Sequence, residues 1–131
     1  MTNVPGTGAR PGTKAEGCLR IGVPAEVKTD EYRVALTPAG ALELTRRGHE
    51  VRVERGAGVG AEGLDGAYER VGARIGGAED AWAGELVLKV KEPQASEFGF
   101  LRDDQTLFPY LHLAANPGVA DALRRAGTTG I

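Results

Sequence analysis

One cysteine, Cys18, excludes an internal disulfide, and with only two histidines beside it the chain offers no zinc-type ligand set. Aromatic residues make up only 5% of the 131 positions, so the core that forms is aliphatic and thin. No apolar run approaches the ~18 residues that read as a membrane helix. A membrane partner is therefore not expected. Nor is there an excess of basic charge: 16 Lys and Arg stand against 18 Asp and Glu, a net charge of −2. The electrostatic footprint of a nucleic-acid binder is missing. The expected class is a soluble, cytoplasmic globular domain, of a size that suits one folding unit. Glycine, by contrast, is abundant, with 20 of 131 residues, about twice the ~7% average. A thin core with many glycines implies a domain that packs against further partners.

Residues 1–18 mix Gly, Pro, Thr and charge without apolar periodicity, which predicts a flexible tail. They lack the ~7–15-residue apolar stretch of a secretory signal. The pattern changes at Leu19, and residues 19–131 read as one domain. Residues 19–24 form a short apolar run ending in proline, which predicts a strand. Thr37-Pro38 announces a helix, with threonine as N-cap and proline in the first turn, and Gly48 stops it. Residues 49–54 alternate as a strand, with Val51 and Val53 on one face. A glycine-rich loop follows, then a short helix through residue 71 that Asp65 would cap. Residues 73–75 are too short an apolar run to count as a strand. A helix over 78–83 carries the sole tryptophan, Trp82. Strands are predicted over 85–91 and 106–111, a helix over 117–125 before Gly127, and the opening of one more strand over 128–131. Strands alternating with helices predict an α/β fold, a partial doubly wound and mainly parallel sheet.

In open α/β sheets, ligands bind outside the carboxyl ends of the strands. After the first strand comes a loop containing Glu26, Lys28 and Arg33. Alternation on the 85–91 strand puts Lys89 and Lys91 on one face, with Lys91 at the tip before Glu92-Pro93. His112 holds the matching place on the next strand, and the 15 residues of 92–106 suffice for a parallel crossover. Lys91 and His112 are thus expected as neighbours on one rim. Arginine offers a planar fork for a carboxylate, lysine a point charge for a carbonyl oxygen, and histidine a proton near neutral pH. Together they suit a small 2-oxo or 2-amino acid. Each also has a plain structural reading. Arg33 suits a solvated loop, the two lysines an edge strand protected from aggregation, and His112 a hydrogen-bonded structural role.

The segment Gly58-Val59-Gly60-Ala61-Glu62-Gly63 matches the dinucleotide fingerprint G-x-G-x-x-G and follows a strand. The motif needs a helix starting inside the glycine run and a second strand ending in an acidic residue ~20 positions on. Gly63-Leu64-Asp65-Gly66 interrupts such a helix, and Asp80, at the tempting distance, falls in a helical segment. The loop is read as a turn, with no cofactor-binding residue assigned in this chain.

Several blocks in order resemble the opening of L-alanine dehydrogenases. They are Arg20-Ile21-Gly22-Val23-Pro24 with Glu26 and Lys28, then Glu31-Tyr32-Arg33-Val34-Ala35-Leu36-Thr37-Pro38. Arg47-Gly48-His49-Glu50-Val51, the Gly56-Ala57-Gly58 loop, Leu88-Lys89-Val90-Lys91-Glu92-Pro93 and Tyr110-Leu111-His112-Leu113-Ala114-Ala115 follow. The resemblance runs from about residue 19 to 131. Nicotinamide nucleotide transhydrogenase alpha chains and saccharopine dehydrogenases share the fold of this region, and the block ending in His112 favours alanine dehydrogenase. The resemblance implies reversible oxidative deamination of L-alanine to pyruvate and ammonia with NAD as hydride acceptor, by homo-oligomeric full-length proteins. It assigns Arg33 and Lys91 to the substrate carboxylate and oxo group, and His112 to substrate contact and proton transfer. It also implies that this chain is the N-terminal substrate domain, truncated at its C-terminus. The NAD-binding domain and its acidic catalytic residue lie outside it, so the piece alone is expected to be inactive. The alternatives are a non-catalytic module that binds a small carboxylate or docks on a subunit, and a partial transhydrogenase-like or saccharopine dehydrogenase-like chain. One departure stands out: Pro109 sits where the family pattern usually has a threonine, and proline has no N–H for a ladder bond.

Overall fold

The computed structural model describes residues 17–131. All but the last two residues of the expected tail, 1–18, lie outside the described residues. Six strands form one sheet: β1 (Arg20–Val23), β2 (Glu50–Glu54), β3 (Arg74–Gly76), β4 (Leu86–Lys91), β5 (Thr106–Tyr110) and β6 (Thr129–Gly130). Four helices alternate with them: α1 (Pro38–Arg46), α2 (Asp65–Arg70), α3 (Ala78–Trp82) and α4 (Pro117–Ala126). Short 3-10 helices occupy Val59–Ala61 and Ala95–Phe100. Among the described residues, no helix is long and apolar enough to cross a membrane.

Local chemistry sets the helix ends. The Thr37 hydroxyl accepts from the Gly40 N–H at 3.1 Å, and Pro38 fills the first turn of α1, where a missing N–H costs nothing. Gly127 ends α4 with φ +73°, a left-handed conformation that glycine adopts without a Cβ penalty.

Every adjacent pair of strands is parallel, and the order across the sheet is β3-β2-β1-β4-β5-β6. The chain winds outward from β1 to β3, returns to β4 on the other side of β1, and winds outward again. The order therefore reverses between β1 and β4, the place where a doubly wound sheet opens a crevice at its carboxyl edge.

Alternation along each strand builds two cores. Ile21, Val23, Val51 and Val53 face α1 and α2 through Ala41 and Tyr68. Val87 and Leu107 face the other way, toward Trp82 of α3 and Val119 and Leu123 of α4. Gly22 lies between Ile21 and Val23 and so points to α3. A Cβ there would sit 1.6 Å from the Ala81 carbonyl oxygen. On the α1/α2 side, nothing comparable among the described residues covers β5 and β6: Phe108, Tyr110 and Ile131 are exposed.

Four sequence expectations change. The 73–75 run does contribute to a strand: Arg74 and Ile75 lie in the three-residue β3, which survives its shortness because it only adds an edge to β2 in register Val53↔Ile75. Asp65 does not cap α2; Leu64 holds the N-cap position, and the Asp65 carboxylate accepts from the Gly56 N–H at 2.9 Å, tying the glycine loop to the helix. Strand β4 is central, between β1 and β5, so its lysines do not guard an edge. Nor does simple alternation hold along β4. Leu88 pairs with Phe108 but Lys91 pairs with Tyr110, so three steps on β4 oppose two on β5. The irregularity falls at Pro109, whose absent N–H is tolerated at a bulge and not in a regular ladder. Lys89 and Lys91, expected together, go to different partners.

Candidate active site at the sheet switch point

Loop 24–36 leaves β1 at the order reversal and is held along its length. At its start, the Ala25 N–H donates to Glu54 Oε1 at 2.9 Å. At its end, the Leu36 carbonyl accepts from the buried Tyr68 hydroxyl at 2.6 Å. In between, Gly60 packs so closely that a Cβ would come within 2.6 Å of the Tyr32 carbonyl oxygen.

Glu26, from this loop, reaches across to β4. Its Oε2 accepts from the Val90 N–H at 2.9 Å and its Oε1 from the Lys91 N–H at 3.1 Å. The bulged strand end thus finds side-chain partners for two backbone donors. The same carboxylate pairs with Lys89 Nζ at 3.2 Å, and Lys89 meets Glu97 at 3.2 Å on its other side. All three side chains are buried, and Lys89 also lies 5.9 Å from the Trp82 ring centroid. Burial pushes the Glu97 carboxyl above its ordinary range, against the opposing pull of Lys89.

Two smaller clusters stand beyond this buried triad. In the first, Arg33 donates through Nε at 2.8 Å and Nη2 at 2.7 Å to the two oxygens of Glu31. Lys91 Nζ lies 4.0 Å from the same carboxylate. The Arg33 hydrogen bonds hold Glu31 down at about 2, so it stays ionised. Two cations against one carboxylate leave this cluster positive. In the second, the buried Glu92 carboxylate takes a 2.7 Å hydrogen bond from Lys28 and stands 3.4 Å from His112 Nδ1. His112 follows β5 in a left-handed conformation, φ +50°, with half of its side chain exposed. Asn116 Nδ2 donates to its carbonyl at 3.1 Å and Tyr110 stacks on its ring. A strained non-glycine backbone, retained at a strand end beside charged groups, is typical of functional positions.

Arg33, Lys91 and His112 therefore do share the carboxyl rim of β1, β4 and β5. Arg33 stays mostly exposed, with 63% of its side chain open, but its fork is occupied by Glu31. Sequence reasoning passed over Glu31, Glu92 and Glu97 as partners. The Glu31-x-Arg33 spacing and the Glu92-Pro93 strand ending were the available signals. A cavity of about 830 Å³ adjoins the rim, lined by Arg33, Thr37, Leu88, Phe108 and Tyr110 among others.

Residues 58–63 form a tight turn whose only helical part is the 3-10 segment, and α2 begins after Gly63. The glycines face protein: a Cβ at Gly58 would lie 2.3 Å from the Gly63 carbonyl oxygen, and Gly60 faces Tyr32. This turn does not fit a dinucleotide pyrophosphate, which needs open glycines leading into a helix N-terminus.

A family model described as the alanine dehydrogenase/PNT N-terminal domain matches residues 22–131. The chain belongs to that family. It is 52% identical over 115 residues to the alanine dehydrogenase of Mycobacterium tuberculosis, covering 86% of this chain and 31% of that protein. It is 49% identical over 112 residues to the alanine dehydrogenase of Bacillus subtilis, covering 85% and 30%. Among solved structures, an L-alanine dehydrogenase superposes with a TM-score of 0.84 at 45% identity, over 86% of this chain and 31% of that one. A transhydrogenase from Sinorhizobium meliloti gives 0.79 at 33% identity, over 84% and 32%. The chain thus spans about a third of the length of the family members it matches.

The Glu92 cluster gives a pH prediction. Burial alone would raise this carboxyl, but the hydrogen bonds from Lys28, the backbone, Gln94 and His112 outweigh it and bring it from 4.5 to about 2. A lowered folded-state value stabilises the fold above the unfolded value and is lost as pH falls through the folded one. Between pH 4.5 and about 2, the native chain should lose on the order of 2 kcal/mol more than Glu92→Gln, discounted for the partly exposed Lys28. Urea unfolding across that window checks it; parallel curves would mean that Glu92 gains nothing from its partners.

Proposed function

We propose that this chain is the substrate-binding N-terminal part of a cytoplasmic, NAD-dependent L-alanine dehydrogenase, an enzyme that converts L-alanine, NAD and water to pyruvate, ammonia and NADH. The observation that carries the reading is the positive Arg33–Lys91 pair beside His112 on the rim of the switch-point strands. In this reading the substrate carboxylate replaces Glu31 on the Arg33 fork, where planar geometry favours a bidentate pair. Lys91 holds the oxo oxygen of the 2-oxo acid, and His112 exchanges the proton. NAD supplies the hydride acceptor when bound. The 58–63 turn does not fit it, and its site is not assigned to this chain's described residues.

Pyruvate at about ten times its Kd should stabilise the chain by about 1.4 kcal/mol, a rise in Tm on the order of 5 °C. Arg33→Ala should abolish the rise. A rise that survives the substitution removes Arg33 from the site, and no rise in the native chain sinks the carboxylate reading. A second reading, a module that docks on another subunit, draws on the exposed Phe108, Tyr110 and Ile131 beside the cavity. Parallel sheets are ordinarily covered on both faces. That reading expects no response to pyruvate.

A further inference from the structure

We propose that Glu92 is a positioning residue for His112, fixing which imidazole nitrogen carries the proton. The Glu92 carboxyl is buried, stands 3.4 Å from His112 Nδ1, and is anchored from behind by Lys28 at 2.7 Å and by Gln94 Nε2 at 3.3 Å. An ionised carboxylate is acceptor-only. The group facing it must donate, so the proton of neutral His112 sits on Nδ1. Nε2 is left bare, the state a general base needs. The backbone holds the ring from its other end, through the left-handed φ of His112 and the Asn116 bond to its carbonyl. Lys28 keeps Glu92 charged and in place without touching the ring, so the relay runs Lys28, Glu92, His112. The catalytic consequence rests on the proposed role of His112 in proton transfer, but the tautomer itself does not.

The chain carries its own control. Its other histidine, His49, accepts the Leu19 N–H on Nδ1 at 3.0 Å. His49 must therefore be protonated on Nε2, the opposite tautomer. Long-range 1H–15N correlation spectra of the 131-residue chain, recorded where both imidazoles are neutral and assigned with His49→Gln, should show one histidine of each kind. In Glu92→Ala, His112 should revert mostly to the Nε2-protonated form while His49 keeps its pattern, which reports an intact fold. Glu92→Gln serves if the alanine variant does not fold: its single oxygen is claimed by the Lys28 and Gln94 donors, which turns its amide N–H toward Nδ1, so His112 should again shift to the Nε2-protonated form. Finding native His112 protonated on Nε2, or unchanged in Glu92→Ala with His49 intact, overturns the proposal. The pyruvate experiment fails independently: a correct tautomer without pyruvate stabilisation leaves the positioning in place and removes the substrate reading.

Discussion

Gly22→Ala is expected to destabilise the fold severely. A Cβ on Gly22 would lie 1.6 Å from the Ala81 carbonyl oxygen and 2.6 Å from its carbonyl carbon. Those atoms are backbone, so no side-chain rotation relieves the clash; α3 must move off β1. Gly84, next to the same contact, allows no retreat in that direction, since a Cβ there would already lie 2.6 Å from the Gly22 nitrogen. Overpacking a well-filled core costs about 1–3 kcal/mol even where side chains can adjust. Here the cost should be at least ~3 kcal/mol, a large share of the ~5–15 kcal/mol that holds a domain together. Gly118→Ala, in the first turn of α4 with open space around its Cβ direction, is the matched control. It should be neutral or gain a few tenths of a kcal/mol. Equal urea midpoints for the two variants would contradict this packing.

The elements that the sequence shows clearly are those whose ends carry their own chemistry. Thr37-Pro38 and Gly127 mark helix ends by capping alone, and Val51 and Val53 mark a buried strand face by alternation. Strand β3 is hidden because a three-residue edge strand has no period to detect; only the neighbour β2 makes it a strand. The bulge in β4 is hidden for a similar reason. Its cause, Pro109, lies on the adjacent strand 18 positions away from Lys91, and strand alternation cannot register a partner's missing N–H.

The candidate site was legible as a set of cations at strand ends, because the location follows from topology and Arg, Lys and His are conspicuous there. What balances those cations was not. Glu31, Glu92 and Glu97 lie among 18 acidic residues, and beyond the Glu31-x-Arg33 spacing and the Glu92-Pro93 strand ending little in their local pattern separates them from surface charge. Only packing distinguishes them, with each carboxylate buried and each holding a named base. The geometry also divides the two lysines that sequence treated as equals. Lys91 stands at the rim with a quarter of its side chain exposed, at 27%, while Lys89 is sealed in at 1%.

Removing the Lys89 charge is therefore expected to cost far more than a surface lysine would. Lys89→Met keeps the bulk but leaves Glu26 and Glu97 facing each other without the cation that now lies 3.2 Å from each. Breaking a buried ion pair from one side costs about 3–5 kcal/mol, because the remaining charge is neither solvated nor paired. Two carboxylates remain here, and one of them must take up a proton to stay inside. Burial already pushes Glu97 upward against Lys89; without Lys89 it rises further. A folded-state carboxyl raised above its unfolded value destabilises the fold above that unfolded value, so acid relieves the penalty. The stability gap between Lys89→Met and the native chain should therefore narrow from about pH 7 to about pH 5. Lys89→Met combined with Glu97→Gln, which removes one of the two charges, should recover much of the loss at neutral pH. The remaining carboxylate, Glu26, still has the Val90 and Lys91 N–H groups as partners. Since those bonds place the strand end that carries Lys91, the single variant should also weaken pyruvate stabilisation although Lys89 lies behind the rim. A pH-independent loss, or a double variant no better than the single, would show that Lys89 contributes packing and not charge.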